Sequence, residues 1–382
     1  MRLVRRLVGG LVCVLLLGGA TVSGAQEPAS CRWATDTATV PDAFLNGVAA
    51  AEPTNVLAVG AVTNSEGRTR TLVRHWDGSS WETQPSANVN TQSHELTDVA
   101  VGPNGTAWAV GVRGGAKTKT VVQRYDGSSW AMRASLNPSV DRNMLTGVDV
   151  APSGDVYVVG ARWNTKRKFR TIIHRHDGKA WKEFRSDPGV LWDLDVVAED
   201  DIWAVGEKGV GVRSRTFVVH FDGTRWTEMA TPLPNQGFST FFGVSAAGPD
   251  DVWAVGEWWG GGGYSDARPW IVHYDGTSWS EQEIPALANQ KAGLFGVSAL
   301  DADTAVAVGL DYRYPVEDSR VVIEWDGTSW TRAEQDGDAF TGALMDVDLT
   351  PDGGGWIVGN QYSESPSTEF VSADYVARRT CG

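Results

Sequence analysis

The sequence has few cysteines, only one long apolar run and no helical periodicity. Its 382 residues include 3 Cys. The apolar run from residue 8 to residue 17 is too short for a membrane span, and no other segment is apolar enough to cross a bilayer. No His-Glu-x-x-His or Gly-x-Ser-x-Gly motif occurs, and no glycine-rich loop joins a strand to a helix. These absences argue against an enzyme, and no cofactor or metal is predicted.

Residues 1–25 are typical of a secretory signal. Arg2, Arg5 and Arg6 form its basic start, and Ser23-Gly24-Ala25 resembles a cleavage site. We therefore expect a secreted, extracellular, monomeric protein with a single domain at residues 26–382. The formal net charge of −14 at pH 7 becomes more acidic once the three arginines are removed. It argues against nucleic-acid and anionic-membrane partners.

A six-residue motif recurs six times, with an aromatic residue, Asp, Gly, two small or polar residues and Trp. The motif begins at Trp76, Tyr125, His176, Phe221, Tyr274 and Trp325, with His176 in the aromatic place. A second motif, an apolar run closed by glycine, recurs seven times and ends at Gly60, Gly111, Gly160, Gly206, Gly256, Gly309 and Gly359. A period near fifty residues with fixed turn residues predicts a repeat architecture.

The seventh repeat is split between the two ends of the chain. We align Val376 to Gly382 with Leu72 to Gly78, and Cys31-Arg32-Trp33 with Ser79-Ser80-Trp81. The last strand of this repeat would then come from the amino-terminal end, which closes a ring. Cys31 and Cys381 would lie on adjacent strands at the seam, and in an oxidising compartment we expect a disulfide between them.

Each repeat has the pattern of four antiparallel strands. In the fifth, strands are predicted at 241–246, 252–256, 270–274 and 279–283, with a turn at Asp275-Gly276 and a long loop at 257–268. The other innermost strands are expected to begin at Leu45, Leu96, Leu145, Leu191, Leu294 and Leu344. Seven such repeats predict an all-β fold, a seven-bladed β-propeller of four-stranded antiparallel blades. Thirteen of the 18 tryptophans occupy repeat positions and are expected to pack between blades.

Aromatic residues outside the repeat positions gather at one face of this ring. They lie in or beside the loops joining second and third strands, or start innermost strands: Trp163, Trp192, Phe242, Trp258, Trp259, Tyr264, Phe295, Tyr312, Tyr314 and Tyr362. The innermost strands of the other blades carry Asn46, Thr97, Thr146 and Met345 in that place. We interpret the aromatics as a binding face; the alternative is packing of long loops over the channel.

Charge on this face also looks uneven. Blades two to four offer Lys117, Lys119, Lys166, Arg167, Lys168, Arg213 and Arg215, whereas blades six and seven offer Asp311, Glu317, Asp318, Asp336, Asp338 and Glu364. A basic arc opposite an acidic arc would orient a protein partner; solvated loop charge is the alternative.

Carboxylates and histidines also recur at fixed positions. Asp98, Asp193 and Asp346 share one position on the innermost strands, and Asp149, Asp195 and Asp348 share the position two residues on. They converge on the channel, where they would hydrogen-bond neighbouring blades, the interpretation we favour, or bind calcium. His75, His220 and His273 share a position with Arg124, Arg175, Glu324 and Arg379, which indicates register residues, not a catalytic triad.

The pair Asp251-Val-Trp-Ala-Val-Gly256 and Val272-His-Tyr-Asp-Gly-Thr-Ser-Trp279 resembles repeats of secreted bacterial propellers with a kelch-like period. The acidic, tryptophan-rich ring also resembles exported propellers that bind a secreted neutral metalloprotease and provoke its autolysis. That resemblance implies a non-catalytic protein-binding function and a role as transglutaminase substrate through loop glutamines: Gln92, Gln236, Gln290 and Gln361. A lectin with Trp163, Trp258 and Trp259 stacking on sugars, and a carbohydrate-active enzyme using Asp98 and Asp193, are the alternatives.

Overall fold

The computed structural model describes residues 31–36, 38–89, 92–115, 117–139, 141–166, 168–184, 187–209, 213–234, 237–261, 266–313, 318–337, 340–364 and 370–381. The predicted signal segment 1–25 lies outside the described residues. So do Tyr264, Tyr314 and Gln236 of the predicted sites and Arg167, Glu317 and Asp338 of the predicted charged arcs.

The described residues form seven antiparallel sheets of four strands, the blades of the predicted propeller. Blades 1 to 3 contain β2 (Ala43–Glu52), β3 (Asn55–Thr63), β4 (Thr69–Trp76) and β5 (Trp81–Gln84); β6 (His94–Val101), β7 (Ala107–Gly114), β8 (Thr118–Tyr125) and β9 (Trp130–Met132); and β10 (Arg142–Val150), β11 (Val156–Trp163), β12 (Phe169–His176) and β13 (Trp181–Glu183). Blades 4 to 6 contain β14 (Val190–Ala198), β15 (Asp201–Lys208), β16 (Arg215–Phe221) and β17 (Trp226–Met229); β18 (Phe238–Gly248), β19 (Asp251–Trp259), β20 (Ala267–Tyr274) and β21 (Trp279–Glu281); and β22 (Ala292–Asp301), β23 (Thr304–Asp311), β24 (Arg320–Trp325) and β25 (Trp330–Arg332). Blade 7 contains β26 (Gly342–Leu349), β27 (Gly355–Glu364), β28 (Phe370–Cys381) and, from the other end of the chain, β1 (Cys31–Thr35).

The ring closes where β1 pairs with β28. Cys31 lies opposite Cys381, and their sulfur atoms form the predicted disulfide. Trp33 is 1% exposed, and its indole Nε1 donates a hydrogen bond to Glu324 of blade 6 at 2.8 Å. Because β1 is held by its partner strand, the disulfide and a buried tryptophan, the seam joins both ends of the chain into one sheet.

The register of β28 corrects our alignment by one residue. Gly359 lies opposite Tyr375, as Gly60 lies opposite Leu72. Tyr375, not Val376, is therefore equivalent to Leu72. Arg378 takes the place we gave to Arg379 in the histidine-containing repeat position. Arg379 stands where Trp76 stands in the first blade, so no aromatic residue and no Asp-Gly turn marked the register of β28 in the sequence.

Every innermost strand begins earlier than predicted and carries a β-bulge at the same place. β2, for example, begins at Ala43 instead of Leu45, and its register shifts between Leu45 and Gly47. Equivalent shifts occur in β6, β10, β14, β18, β22 and β26. A bulge leaves one extra residue unpaired and redirects its side chain. In each blade the side chain of this residue therefore departs from the regular alternation between the two faces of the sheet.

Aromatic residues of the two motifs fill the space between blades. Trp253 of β19 contacts Trp325 and Trp330 of blade 6, with ring centroids 5.1 Å apart in both pairs. The same arrangement joins Trp203 to Tyr274 and Trp279, and Trp356 to Trp76 and Trp81. The predicted scaffold role of these repeat tryptophans is confirmed.

The Asp-Gly turns have the predicted geometry. Gly78 has φ +96°, a conformation that glycine adopts without steric cost. The Asp77 carboxylate accepts backbone hydrogen bonds from Ser79 and Ser80, and its hydrogen bonds to these two serines lower its pKa to about 2. Within the described residues, no helix is long and apolar enough to span a bilayer.

Candidate binding site on the loop face

The loop face is the side of the ring that carries the connections between second and third strands and between successive blades. Two adjoining cavities lie there. The aromatic cleft measures about 690 Å³ and lies across blades 3, 4 and 5. The channel mouth measures about 360 Å³ and lies at the inner ends of the blades. Trp192 lines both cavities, so they adjoin at this residue.

Two stacked aromatic pairs line the aromatic cleft. Trp163 at the end of β11 stacks on Phe169 with centroids 5.5 Å apart and an interplanar angle of 27°. Trp259 at the end of β19 stacks on Phe238 with centroids 4.5 Å apart and an angle of 29°. The cleft therefore presents pre-positioned ring faces, with Trp192 of blade 4 between the two blades that carry the pairs.

Strand register explains both pairs. Trp163 lies directly opposite Phe169 on β12 and opposite Arg142 on β10, and Phe238 lies opposite Trp259. Directly opposed residues bring their Cβ atoms within about 5 Å of each other. The guanidinium carbon of Arg142 lies 5.9 Å from the ring centre of Trp163. A cation therefore borders the aromatic surface.

Two buried glutamates lie beside the cleft. Glu207 of blade 4 lines it, and burial raises its pKa to about 7, against a hydrogen bond from Ser214. Glu257 of blade 5 is 2% exposed and accepts a hydrogen bond from the Tyr312 hydroxyl at 2.8 Å. Burial raises the pKa of Glu257 to about 7 as well. A carboxyl with a pKa near 7 is only partly ionised at neutral pH, so each of these groups adds less than a full negative charge beside the cleft.

The predicted binding face is only partly brought together. Trp163, Trp192 and Trp259 line the aromatic cleft, and Trp192, Phe242 and Phe295 line the channel mouth. The expectation that Trp258 and Trp259 both lie in a loop is wrong, because β19 includes them and successive strand residues point to opposite faces. Trp258 instead packs against Trp270.

Two predicted aromatic residues lie apart from the cleft. Tyr312 is used in the hydrogen bond to Glu257. Tyr362 is 44% exposed on blade 7, where its hydroxyl accepts a hydrogen bond from Asn360. The predicted lectin set of Trp163, Trp258 and Trp259 is thus not a single surface.

Sequence reasoning missed Phe169 and Phe238. Both stand at strand starts, where a single phenylalanine looks like ordinary strand composition. Counting outward from the glycine that closes the second motif places Phe169 opposite Trp163, since Gly160 pairs with Ile172. This count of strand register is the sequence signal that could have identified Phe169.

The two predicted charged arcs differ in how their side chains are paired. Lys117, Lys166, Lys168, Arg213 and Arg215 are exposed, as the predicted basic arc requires. In the acidic arc, by contrast, Asp311 binds Arg313, Asp318 binds Arg320, and Asp336 lies 3.8 Å from Arg32. Arginines therefore partly neutralise these three carboxylates of the predicted acidic arc.

The channel mouth is formed by the bulge residues of the seven innermost strands. In blade order they are Asn46, Thr97, Thr146, Trp192, Phe242, Phe295 and Met345. Trp192 contacts Phe242 with ring centroids 5.9 Å apart, and Phe242 contacts Phe295 at 5.4 Å. One half of the mouth is therefore polar and the other half aromatic and apolar.

The channel aspartates join neighbouring blades. Asp98 accepts hydrogen bonds from the backbone nitrogens of Val99 in its own blade and Val148 in the next, both at 2.7 Å. The other five aspartates also accept a bond from a backbone N–H of the following blade: Asp193 from Val244, Asp346 from Val48, Asp149 from Val196, Asp195 from Ala246 and Asp348 from Ala50. The favoured prediction of inter-blade hydrogen bonding is confirmed. No group of three or more metal-ligating side chains is found in the described part of the chain.

Glycine in the preceding blade makes room for the upper aspartates. A Cβ at Gly47 would lie 2.9 Å from the Cα of Asp98, and one at Gly296 would lie 2.8 Å from the Cα of Asp346. Burial and the neighbouring carboxylates Asp193 and Asp346 raise the pKa of Asp98. Burial also raises the pKa of Asp346 to about 6.

The recurring histidines are structural. The imidazoles of His220 and His273 hydrogen-bond Asp201 and Asp251 of their own blades, each at 2.7 Å. Each ring also stacks on the tryptophan opposite it, with centroids 4.1 Å apart for Trp203 and His220. The interpretation as register residues is confirmed.

The three described candidate glutamines differ in their settings. Gln92 is exposed before β6. Gln290 is partly exposed, and its Oε1 accepts a hydrogen bond from Arg332. Gln361 lies within β27, paired with Gly342 and Ala373. Gln92 is thus the most accessible of the three.

No protein-family model matches the chain, and no curated protein matches it. Solved structures share its fold at low identity. The β-propeller domain of the Trilobed protease from Pyrococcus furiosus is 11% identical, with TM-score 0.50 over 86% of this chain and 95% of that one. The chain is a seven-bladed β-propeller.

Two further solved structures are similar to this propeller. A polysaccharide lyase, an ulvan lyase bound to -[GlcA(1-4)Rha3S]-, is 9% identical, with TM-score 0.54 over 81% of this chain and 87% of that one. A Trypanosoma rangeli sialidase in complex with sialic acid is 14% identical, with TM-score 0.50 over 89% of this chain and 57% of that one. At these identities the likenesses establish the fold alone.

Proposed function

We propose that this protein is a secreted, non-catalytic binding propeller whose aromatic cleft holds an acidic segment of a partner protein. The observation that carries the proposal is the meeting of Trp163, Trp192 and Trp259 in one cavity of about 690 Å³. Buried aromatic residues supply most of the binding energy at protein interfaces. The stacked pairs are already in place, so less conformational entropy is lost on binding.

The partner's charge follows from the surroundings of the cleft. Arg142 borders Trp163, and blades 2 to 4 carry the exposed Lys117, Lys166, Lys168, Arg213 and Arg215 on a chain whose formal net charge is −14. Acidic residues on the partner would complement this arc and speed association at low salt. The channel carboxylates are engaged between blades, which favours binding over catalysis by those groups.

For the partner's identity, we propose a secreted neutral metalloprotease. The support is the sequence resemblance of this acidic, tryptophan-rich, exported ring to the dispase autolysis-inducing protein of filamentous soil bacteria. Binding would expose a cleavable loop of the protease or bring two protease molecules together. Export is supported by the signal-like residues 1–25 and by the Cys31–Cys381 disulfide, a bond typical of oxidising compartments.

The test is the lifetime of a neutral metalloprotease incubated with the protein. We expect faster loss of intact protease, and we expect Trp259→Ala to weaken the effect about tenfold to a hundredfold. Trp258→Ala is the matched control, because the neighbouring indole packs on Trp270 away from the cleft. Equal loss of effect in both variants, or an unchanged protease lifetime with the wild type, would contradict the proposal.

The resemblance also supports a role as transglutaminase substrate. Of the described candidates, Gln92 is exposed, whereas Gln361 is held in a sheet. We therefore expect a transglutaminase to label Gln92 with an amine probe before Gln290 or Gln361. Peptide mapping by mass spectrometry measures the order; labelling confined to Gln361 would oppose it.

A lectin is the second candidate, favoured by the flat ring faces of the stacked pairs. Sugars bind aromatic faces, and the basic surroundings would suit acidic glycans. Two of the similar structures hold acidic sugars, the ulvan lyase and the sialidase. A glycan array that includes uronate-, sulfate- and sialate-bearing glycans tests this function. Binding that is lost in Trp259→Ala and kept in Trp258→Ala would favour the lectin over the protease partner.

A further inference from the structure

The bulge residues at the channel mouth have different structural roles in the two halves of the ring. In blades 1 to 3 its side chain joins the next blade. Asn46 Nδ2 donates to the Leu96 carbonyl at 2.8 Å. Thr97 Oγ1 donates to the Leu145 carbonyl at 2.9 Å and Thr146 Oγ1 to the Leu191 carbonyl at 2.7 Å. In this half the mouth residues are explained by the closure of the ring.

In blades 4 to 7 the same position carries Trp192, Phe242, Phe295 and Met345. The two phenylalanines and the methionine have no hydrogen-bond donor in their side chains, and the indole N–H of Trp192 has no partner among the described residues. All four remain partly exposed and line the cavity. The three rings follow one another around the wall, with centroids 5.9 and 5.4 Å apart. Ring closure does not account for an exposed aromatic wall, so another requirement must maintain it.

Carboxylates form the floor of the same cavity. Asp98, Asp193 and Asp346 line it from below, and Glu95 lines its polar side. Each aspartate accepts two backbone hydrogen bonds, and a carboxylate has acceptor capacity for more. Their mutual repulsion and burial raise the pKa of Asp98, so a positive charge above them would stabilise the ionised forms.

We propose that the channel mouth binds a small organic cation, an alkylammonium group, between the aromatic wall and the carboxylates below it. The faces of aromatic rings attract ammonium groups, and rings grouped around one space form a cage for methylated ammonium groups. A volume of about 360 Å³ suits a ligand of choline size. This site goes beyond the proposed partner-binding function, since it does not require the stacked pairs of the aromatic cleft.

Isothermal titration calorimetry with choline tests the site directly. Its uncharged isostere 3,3-dimethyl-1-butanol has the same shape without the positive charge. We expect millimolar or tighter binding of choline and at least tenfold weaker binding of the alcohol. Equal binding of both would overturn the proposal, because it would indicate an apolar site. Heat from calcium chloride but not from choline would also overturn it.

Variants locate the site. Phe242→Leu keeps an apolar side chain but removes a ring face, and it should weaken choline binding on the order of tenfold. Phe295→Leu provides the same test if Phe242→Leu fails to fold, as judged by circular dichroism. Trp163→Leu, in the aromatic cleft only, should leave choline binding unchanged. Choline affinity that is unaffected by either phenylalanine variant, or lost in Trp163→Leu, would refute this location.

Discussion

Removing the disulfide at the seam should destabilise the whole ring, because it closes nearly the full length of the chain. Cys31 and Cys381 are 350 residues apart. On the chain-entropy model, cross-linking a loop of that length raises the free energy of unfolding by about 6 kcal/mol, and measured effects are usually smaller. We therefore expect a variant with Cys31→Ser and Cys381→Ser to lose about 3–6 kcal/mol.

The burial of Trp33 is the noncovalent contribution to the stability of the seam. Trp33 is 1% exposed and bonded to Glu324, and truncating a buried tryptophan to alanine costs about 3–5 kcal/mol. Trp33→Ala in the oxidised protein should therefore destabilise it by a similar amount, although β1 stays tethered. If both changes act by releasing β1 from β28, their combined effect should be smaller than the sum, because a released strand cannot be released again.

Guanidinium unfolding followed by tryptophan fluorescence measures the free energy of unfolding of the wild type, the double-serine variant, Trp33→Ala and the variant that combines these substitutions. The wild type with reducing agent should match the double-serine variant, which controls for the substitutions themselves. Hydrogen exchange should show the β1 amides exchanging first in the serine variant, since local opening begins at the weakest unit. A loss below about 1 kcal/mol for both the serine variant and Trp33→Ala would refute the view that the seam limits stability.

Two further predictions concern the channel. Gly296→Ala should cost about 1–3 kcal/mol, because its Cβ would lie 2.8 Å from the Cα of Asp346, whereas Gly248→Ala, with nothing within 4 Å, should be nearly neutral; similar urea midpoints for both would contradict this. Burial raises the pKa of Asp346 to about 6, so its carboxyl favours folding below about pH 4, and that contribution disappears as pH rises through 6. The free energy of unfolding of the wild type minus that of Asp346→Asn should therefore decrease by about 1–3 kcal/mol between pH 5 and pH 8. Urea titrations at the two pH values measure this difference, and an increase from pH 5 to pH 8 would contradict the raised pKa of Asp346.

Repeat positions made the fold predictable from the sequence. An Asp-Gly turn followed by Trp specifies a hairpin locally, and seven glycine-closed strands against six such turns left one repeat to be completed by the amino terminus. The one-residue error in β28 arose where the repeat signal is weakest, since Arg379 replaces Trp76 and the turn is absent. Local chemistry therefore determined the fold except at the seam.

The site was harder to predict, because it depends on which face each strand residue occupies. Trp258 and Trp259 look equivalent in sequence, yet one packs on Trp270 and the other lines the cleft. A bulge adds one residue without changing composition, so neither the position of Trp192 in both cavities nor the pairing of Phe238 with Trp259 could be seen without register.

The ring also separates positions that close it from positions available for binding. Where a residue type recurs, a blade-to-blade contact explains it, as with Asp98 reaching Val148. Where the residue type changes around the ring, the role of the side chain changes with it. Thr146 at the bulge of blade 3 bonds the next blade, whereas Trp192 at the bulge of blade 4 lines the cavity. Four of the seven blades lack the hydrogen bond from the bulge residue to the next blade. In those blades the aspartate and serine hydrogen bonds deeper in the channel must join neighbouring blades. Ser245 accepts such a bond from Ala299. Substitutions in the aromatic half of the mouth therefore leave the hydrogen bonds of the layer beneath it in place.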